Sequence, residues 1–213
     1  MTRKFIGLSA VDRASLPGRC PTCCYWESTR VLPIECGAAC VDGFAEKWAR
    51  DVAFSWGECG RVAVQDGEVL GFVKYAPPPL VPQAQFMPAG PPLPDSVLIT
   101  CMRMSPEARR HGVGGVLLRE AFRDLATRGE RSVQAYGTTW AGDIEDRPAI
   151  GMQFLLSNGF TVVRPHPEMP LLKVDLKTMV SWQGNLEAIL DSLRIPMRVP
   201  RRAPAICSGE DRE

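Results

Sequence analysis

The chain has 213 residues, of which 45% are hydrophobic and 23% charged, and its formal net charge at pH 7 is +1. This composition is typical of a globular protein with one sizeable core. The balanced charge offers no broad basic face for nucleic acid, and no apolar run reaches the roughly 20 residues of a membrane span. The start, Met1–Leu8, lacks the apolar segment of a secretory signal, which predicts a cytoplasmic location.

Five of the eight cysteines fall within the first 41 residues, which are also rich in proline. Four of them have spacings that could supply thiolates to a tetrahedral zinc ion: Cys20, Cys23, Cys36 and Cys40. The alternative is that they are small buried apolar side chains. Disulfides are not expected in a cytoplasm, and the Cys20-x-x-Cys23 spacing also leaves a redox role open.

The next part of the chain predicts a helix and then a β-hairpin. The helix spans Asp42–Ser55, with Asp42 as its N-cap. One face of this helix is formed by residues at helical spacing: Phe44, Trp48, Val52 and Ser55. Two strand-like runs follow, Arg61–Gln65 and Glu68–Tyr75, joined by an Asp-Gly pair that is typical of a type I′ turn.

A segment with eight prolines, Ala76–Asp95, comes next. A connection of this length is either functional or partly disordered. One interpretation is a lid or wall over a substrate groove; the other is an extended polyproline-like stretch on the surface.

The rest of the chain alternates between strands and helices. Ser96–Met104 is an apolar run suited to the centre of a sheet, and a helix with a broad apolar face runs from Val113 to about Gly129. The further predicted elements are a strand at Ser132–Tyr136, a helix at Arg147–Ser157, strands at Phe160–Val163 and Leu171–Leu176, and an amphipathic helix at Trp182–Leu193. The last helix either packs on the domain or forms a dimer contact.

The most informative motif is the basic, glycine-rich turn between the apolar run and the helix that begins at Val113. Its glycines allow backbone N–H groups to approach phosphate oxygens, and the N-terminus of the helix favours negative charge. Arg109 and Arg110 can add charge-assisted hydrogen bonds. The spacing Arg109-x-x-Gly112-x-Gly114 is neither a P-loop nor a dinucleotide fingerprint.

In the order strand, Pro106, Arg109-x-x-Gly112-x-Gly114 and helix, this motif resembles the coenzyme A loop of the GNAT superfamily of N-acetyltransferases. The Gly159-Phe160 step after a helix resembles a second motif of that family, so the resemblance covers about residues 60–176. The Cys-x-x-Cys and Trp26-Glu27 near the start resemble a subgroup of GNAT-like proteins.

The resemblance implies an α/β (α+β) fold with a mixed, mostly antiparallel central sheet of six to seven strands flanked by helices. The domain organisation that follows is a Cys/Pro-rich segment at 1–41 packed on the domain, an acetyltransferase domain at 42–176, a C-terminal amphipathic helix at 177–195 and a disordered tail at 196–213.

The resemblance also implies an enzyme that transfers an acetyl group from acetyl-CoA to a small-molecule or peptide amine. In the family, backbone N–H groups of the fourth strand, here those of Met102 and Met104, polarise the thioester carbonyl. The expected coenzyme A contacts are Met102, Arg103, Met104, Arg109, Arg110, His111, Gly112, Val113, Gly114 and Gly115.

The chain departs from the family pattern at the position of the proton donor. Many members place a tyrosine four residues before the Gly-Phe step, where this chain has Leu155, and Pro148 stands near the place of a frequent asparagine. Tyr136 and Asp143 are the candidate catalytic residues in their place. A non-catalytic acyl-CoA sensor is the alternative function, and a zinc-stapled interaction or nucleic-acid protein is a third.

Overall fold

The structure, a computed structural model, describes residues 3–34, 43–139 and 147–178. Its strands, in chain order, are β1 Arg3–Gly7, β2 Gly60–Gln65, β3 Glu68–Ala76, β4 Val97–Met104, β5 Ser132–Thr138, β6 Ile150–Gly151, β7 Thr161–Arg164 and β8 Leu171–Asp175. Its helices are α1 Phe44–Ser55, α2 Val113–Thr127 and α3 Met152–Ser157. The strands form one eight-stranded sheet in the order β1-β2-β3-β4-β5-β8-β7, with β6 paired to β5.

The sheet is mixed and mostly antiparallel, as expected, but its first strand was not predicted. β1 pairs antiparallel with β2 and adds an edge strand from within the cysteine-rich segment. The hairpin of β2 and β3 is confirmed. Its turn residues Asp66 and Gly67 have φ values of 52° and 88°, as the two central positions of a type I′ turn require.

The two faces of the sheet carry separate cores. On one face, called the α2 face below, α2 buries a stripe of side chains against the sheet: Val113, Leu117, Leu118, Ala121, Phe122 and Leu125. The broad apolar face predicted for this helix is confirmed. On the opposite face, the α1 face, α1 and the segment 8–27 cover side chains of β3 and β4, including Phe72 and Cys101.

The orientation and the start of α1 differ from the prediction. The helix turns Ala45 and Val52 inward, whereas Phe44 is 38% exposed. Its N-cap is Gly43, with a left-handed φ of 76°, and Asp42 lies outside the described residues. The side chains that complete the inward stripe are therefore Ala45, Trp48 and Ala49, instead of the predicted Phe44 and Ser55.

The helix predicted over Arg147–Ser157 is wrong in its first half. Ile150 and Gly151 form β6, which pairs parallel with Gly137 and Thr138 at the end of β5, and α3 begins only at Met152. Pro148 disfavours helical backbone in the residue before it, and the free edge of β5 offers the backbone of Ile150 a strand partner. The two strands predicted after α3 are confirmed within one residue.

The proline-rich segment packs on the protein. It forms short 3-10 turns at Pro78–Leu80 and Pro82–Phe86 and buries several of its side chains: Val81, Gln83, Ala84, Met87 and Ala89. The prediction of an extended polyproline-like stretch on the surface is therefore wrong. Within the described ranges, the structure has no helix long and apolar enough to cross a membrane. The predicted helix Trp182–Leu193 lies outside those ranges.

Candidate active site

A split in the sheet separates the second halves of β4 and β5. The two strands pair in parallel only from Val97 to Ile99 and from Val133 to Ala135. At that point the register between β3 and β4 shifts, which leaves Thr100 as an extra residue in β4. A bulge bends its strand, so β4 turns away from β5, whose end pairs with β6 instead.

Backbone N–H groups of β4 point into this split. The N–H of Ser105 donates to the carbonyl of Leu70 on β3, over 2.8 Å. Because backbone groups alternate in direction along a strand, the N–H of Arg103 also faces β3, whereas those of Met102 and Met104 face the opposite side. That side is the split, where β4 has no β5 partner.

The turn after β4 leaves the N-terminus of α2 open. Pro106–Ala108 forms a 3-10 turn, after which Arg110 and Gly112 take left-handed backbone conformations with φ of 62° and 73°. Gly112 is the N-cap of α2 and provides no capping side chain, and a Cβ atom at this position would meet nothing within 4 Å. Alternating left-handed residues curl successive N–H groups toward one point, which suits an anion.

Close packing joins this turn to the split. A Cβ atom at Gly114 would lie 3.4 Å from Met102 Cε and 3.5 Å from Phe154 Cε2. At Gly115 it would lie 3.6 Å from Asn158 Oδ1. The first turn of α2 therefore rests directly on the β4 strand whose N–H groups face the split.

The remaining predicted residues of this turn lie at its surface, with one exception. Arg109, Arg110 and His111 are exposed, and Arg109 Nε donates to the carbonyl of Met104 over 3.4 Å. Val113 is buried in the α2 core. Cationic side chains thus surround the open end of α2, and they suit a pyrophosphate group.

The Arg103 side chain points to the other face of the sheet. Its guanidinium donates to the carbonyls of Met102, Ala149 and Arg147, over 2.9, 3.3 and 2.6 Å. It is 7% exposed. Arg103 thus bridges β4 and the chain before β6, across the mouth of the split, and its guanidinium is placed away from the glycine-rich turn.

Tyr136 lies on the α1 face and is 1% exposed. Its hydroxyl donates to the carbonyl of Gly90 over 2.6 Å and lies 3.3 Å from that of Ala84. Burial raises the pKa of this hydroxyl above its usual value, and the ring stacks on Trp26 with centroids 6.0 Å apart. These contacts anchor the proline-rich segment and leave the hydroxyl poorly placed to protonate a leaving group.

The other positions considered for proton transfer contribute no described donor. Leu155 is fully buried in the α2 core. Its side chain is a hydrocarbon and has no proton to donate. Asp143 lies outside the described residues. The role of Asp143 stays a prediction.

The four cysteines predicted as possible zinc ligands fall into two groups. Cys20 and Cys23 line a cavity on the α1 face, whereas Cys36 and Cys40 lie outside the described residues. Within the described ranges, no three His, Cys, Asp or Glu residues are close enough to hold a metal ion. The four-cysteine zinc site stays a prediction.

That cavity has a volume of about 370 Å³ and was missed by the sequence analysis. It lies between α1, the segment 8–27 and the β3 and β4 strands, and contains the ion pair of Lys74 with Glu27. Lys74 also lies over the ring of Trp48, with Nζ 5.5 Å from the centroid. Burial favours neutral Lys74 and is the largest single influence, but the charge and the hydrogen bond of Glu27, together with Cys101, raise the lysine pKa. In the sequence, the Trp26-Glu27 pair was the feature that could have pointed to this cavity.

Comparisons with known proteins identify the family. The model of the acetyltransferase (GNAT) family matches residues 23–145. The chain therefore belongs to this family, whose members use acetyl-CoA, and it is an acyltransferase. The open α2 N-terminus and the N–H groups at the split fit this cosubstrate.

Solved structures of similar fold include several acetyltransferases. Ard1 from Thermoplasma volcanium is 14% identical, with 82% of this chain and 98% of that chain covered and a TM-score of 0.50. PaiA N-acetyltransferase from Thermoplasma acidophilum, solved with coenzyme A, is 15% identical, with 82% and 99% covered and a TM-score of 0.45. The ribosomal-protein-S18-alanine N-acetyltransferase of Escherichia coli is 12% identical, with 82% and 94% covered and a TM-score of 0.49. A search of curated protein sequences found no significant match.

Proposed function

We propose that this protein is an N-acetyltransferase that moves the acetyl group of acetyl-CoA to an amine at the split between β4 and β5. The observation that carries the proposal is the end of β4–β5 pairing at Ile99, which leaves the Met102 and Met104 N–H groups aimed into the split. Two preorganised donors are what a carbonyl that gains negative charge requires.

The roles follow from position. The turn from Arg109 to Gly115 binds the pyrophosphate of the cosubstrate, with the α2 N-terminus and the arginines as donors. Acetyl-CoA supplies an activated acetyl thioester when bound. The Met102 and Met104 N–H groups stabilise charge on the thioester oxygen and hold the reacting carbon at attack distance.

The sulfur leaves without a tyrosine acid in this proposal. Leu155 replaces the usual donor, and the Tyr136 hydroxyl is bonded to Gly90. A thiol with a pKa of about 8.5 is a tolerable leaving group without an acid, so solvent protonates it. Acetyl-CoA binding without turnover over a broad panel of amines would instead favour the non-catalytic sensor.

The proposal is tested by titrating acetyl-CoA into the purified protein by calorimetry. We expect saturable binding that Gly112→Glu abolishes, because a carboxylate would enter the pyrophosphate site. The matched control is Gly129→Glu. Gly129 also has a positive φ, 84°, and open space at its Cβ, but it lies beyond the other end of α2. Loss of binding in both variants, or in neither, would overturn the assignment of the turn.

A further inference from the structure

The cavity on the α1 face adjoins the split, and the roles proposed above leave it unused. Two β4 side chains line it, those of Cys101 and Arg103. Met102 stands between them in sequence and turns its N–H group to the split. A ligand in the cavity would therefore lie beside the same stretch of β4 that holds the thioester.

Two buried groups of the cavity wall, Trp26 Nε1 and Glu27 Oε2, lack a hydrogen-bond partner in the part of the chain that the structure describes. Glu27 is 2% exposed and accepts a hydrogen bond from Lys74 Nζ through Oε1. Its other carboxylate oxygen, Oε2, has no hydrogen-bond donor among the residues that the structure describes. Buried polar atoms are normally satisfied, so a free carboxylate oxygen in a cavity wall indicates a ligand with an N–H or O–H group.

Most of the exposed surface of the wall is apolar, although charged side chains also line it, among them Arg13, Arg50 and Glu46. The large apolar side chains of the wall are Leu8, Val11, Leu16, Trp26, Trp48 and Phe72. Burial raises the pKa of the Cys20 thiol to about 12 and also raises that of Cys101, so both thiols are neutral at pH 7. They add apolar surface and are poor nucleophiles in this state.

We infer that this cavity is the acceptor site, and that it takes a small primary amine with an apolar body whose amino group bonds Glu27 Oε2. The inference rests on the proposed function and names its substrate class. A volume of about 370 Å³ is in the range of small-ligand pockets. The lining also carries five cationic side chains against three carboxylates, so the repeated positive charges of a polyamine are disfavoured.

Glu27 also accounts for the proton that the amine must lose. The lone pair of the amine nitrogen forms the C–N bond to the acetyl carbon, and the C–S bond breaks with its electron pair going to sulfur. The nitrogen passes one proton to Glu27 Oε2, and the sulfur takes one from solvent. Lys74 is a positioning residue, since it holds the carboxylate through Oε1.

The test measures binding and transfer separately, with 2-phenylethylamine as the apolar probe, spermidine as the polyamine and an alanine-initiated peptide as the third acceptor. Binding of each probe is followed by quenching of tryptophan fluorescence, and transfer by thiol release and product mass. We expect 2-phenylethylamine to bind and to be acetylated with the highest kcat/KM. Glu27→Gln should lower that kcat/KM about 100-fold, and Ala49→Phe, which fills the cavity from α1, should raise the amine KM at least about tenfold. Neither should change acetyl-CoA affinity.

Two controls match these variants. Glu130→Gln removes a carboxylate on the other face, where Glu130 Oε1 accepts from Trp56 Nε1 over 3.4 Å. Lys47→Phe adds the same ring to the solvent side of α1, where the Lys47 side chain is 68% exposed. Both should keep the wild-type KM and kcat.

The outcomes separate the two proposals. Absence of acetyl-CoA binding by the wild type would reject the proposed function itself. If acetyl-CoA binds but 2-phenylethylamine neither binds nor reacts, the acceptor inference is overturned. A preference for the peptide or for spermidine that Ala49→Phe leaves unchanged would also overturn it, since the acceptor would then lie outside the cavity.

Discussion

The two faces of the sheet differ in how the chain builds them. On the α2 face, the turn proposed to bind pyrophosphate and the helix that follows it come from one continuous stretch, Ser105–Thr127, which packs on β4. On the α1 face, the cavity is assembled from four separate parts of the chain: the segment 8–27, α1, β3 and β4. The first face thus carries a contiguous motif, whereas the second depends on long-range contacts and on a buried ion pair.

The largest expected effect comes from breaking that ion pair. Lys74→Met should lower the free energy of unfolding by about 3–5 kcal/mol, because it leaves Glu27 as an uncompensated buried charge. Denaturant unfolding would measure the loss. The double variant Lys74→Met with Glu27→Leu should recover most of it.

An exposed pair provides the comparison for this effect. Lys47→Met removes the partner of Asp51 on α1, where the side chains are 68% and 62% exposed, and should cost less than about 0.5 kcal/mol. Equal losses for Lys74→Met and Lys47→Met would mean that the α1 face is far more hydrated than the structure shows.

A second prediction separates anchoring from catalysis at Tyr136. Tyr136→Phe should cost about 1–2 kcal/mol of stability, because the half-buried carbonyl of Gly90 loses its donor. The kcat at saturating acetyl-CoA should change less than about threefold, well below the 100-fold scale of a lost general acid. Unfolding and turnover of the same purified variant measure both. A large drop in kcat without loss of stability would restore Tyr136 as the proton donor.

This contrast between the faces also explains what the sequence could predict. Arg109, Gly112 and Gly114 are close in sequence, and their order before an amphipathic helix predicts an anion site from local chemistry alone. Glu27 and Lys74 are 47 residues apart, and nothing in the spacing of either residue pairs them. Tyr136 has the same limit, since its bond to Gly90 depends on how the proline-rich segment folds back.

The elements that were missed have a similar cause. The β1 strand is a short run at the sheet edge, and its strand state depends on pairing with β2. The β6 strand has two residues and exists because the end of β5 is free of β4. Helical periodicity in Arg147–Ser157 could not reveal that competition, because pairing between distant strands leaves no local pattern.

A third prediction uses the pH dependence of the α1 face. Burial, with a smaller effect from Glu58, raises the pKa of the Cys59 thiol from 9.0 to about 11. Between pH 9 and 11 the unfolded chain loses this proton and the folded chain keeps it, so stability is fully present below pH 9 and falls as the pH rises to 11. The loss is on the order of 2 kcal/mol.

Comparison with Cys59→Ala isolates this contribution. The variant should be less stable than the wild type at pH 7, because it leaves a small cavity, and the difference should narrow between pH 9 and 11. A difference that stays constant over this range in denaturant unfolding would show that Cys59 ionises normally in the folded protein.

The smallest expected effect concerns the α2 face and the cost of its open turn. Arg110 has a φ of 62° without being a glycine, which costs a residue with a Cβ about 1–2 kcal/mol. Glycine loses about 0.5–1 kcal/mol more entropy on folding, so Arg110→Gly should stabilise the protein by about 0.5 kcal/mol. The same variant removes a cation from the proposed pyrophosphate site, so its acetyl-CoA affinity in calorimetry should fall several-fold, most strongly at low salt. Asp66→Gly is the matched control, because Asp66 also has a positive φ, 52°, but lies in the β2–β3 turn. This variant should leave the acetyl-CoA affinity unchanged. Stability gained together with affinity lost would mean that the strain at Arg110 is retained for binding, whereas unchanged affinity at low salt would remove Arg110 from the site.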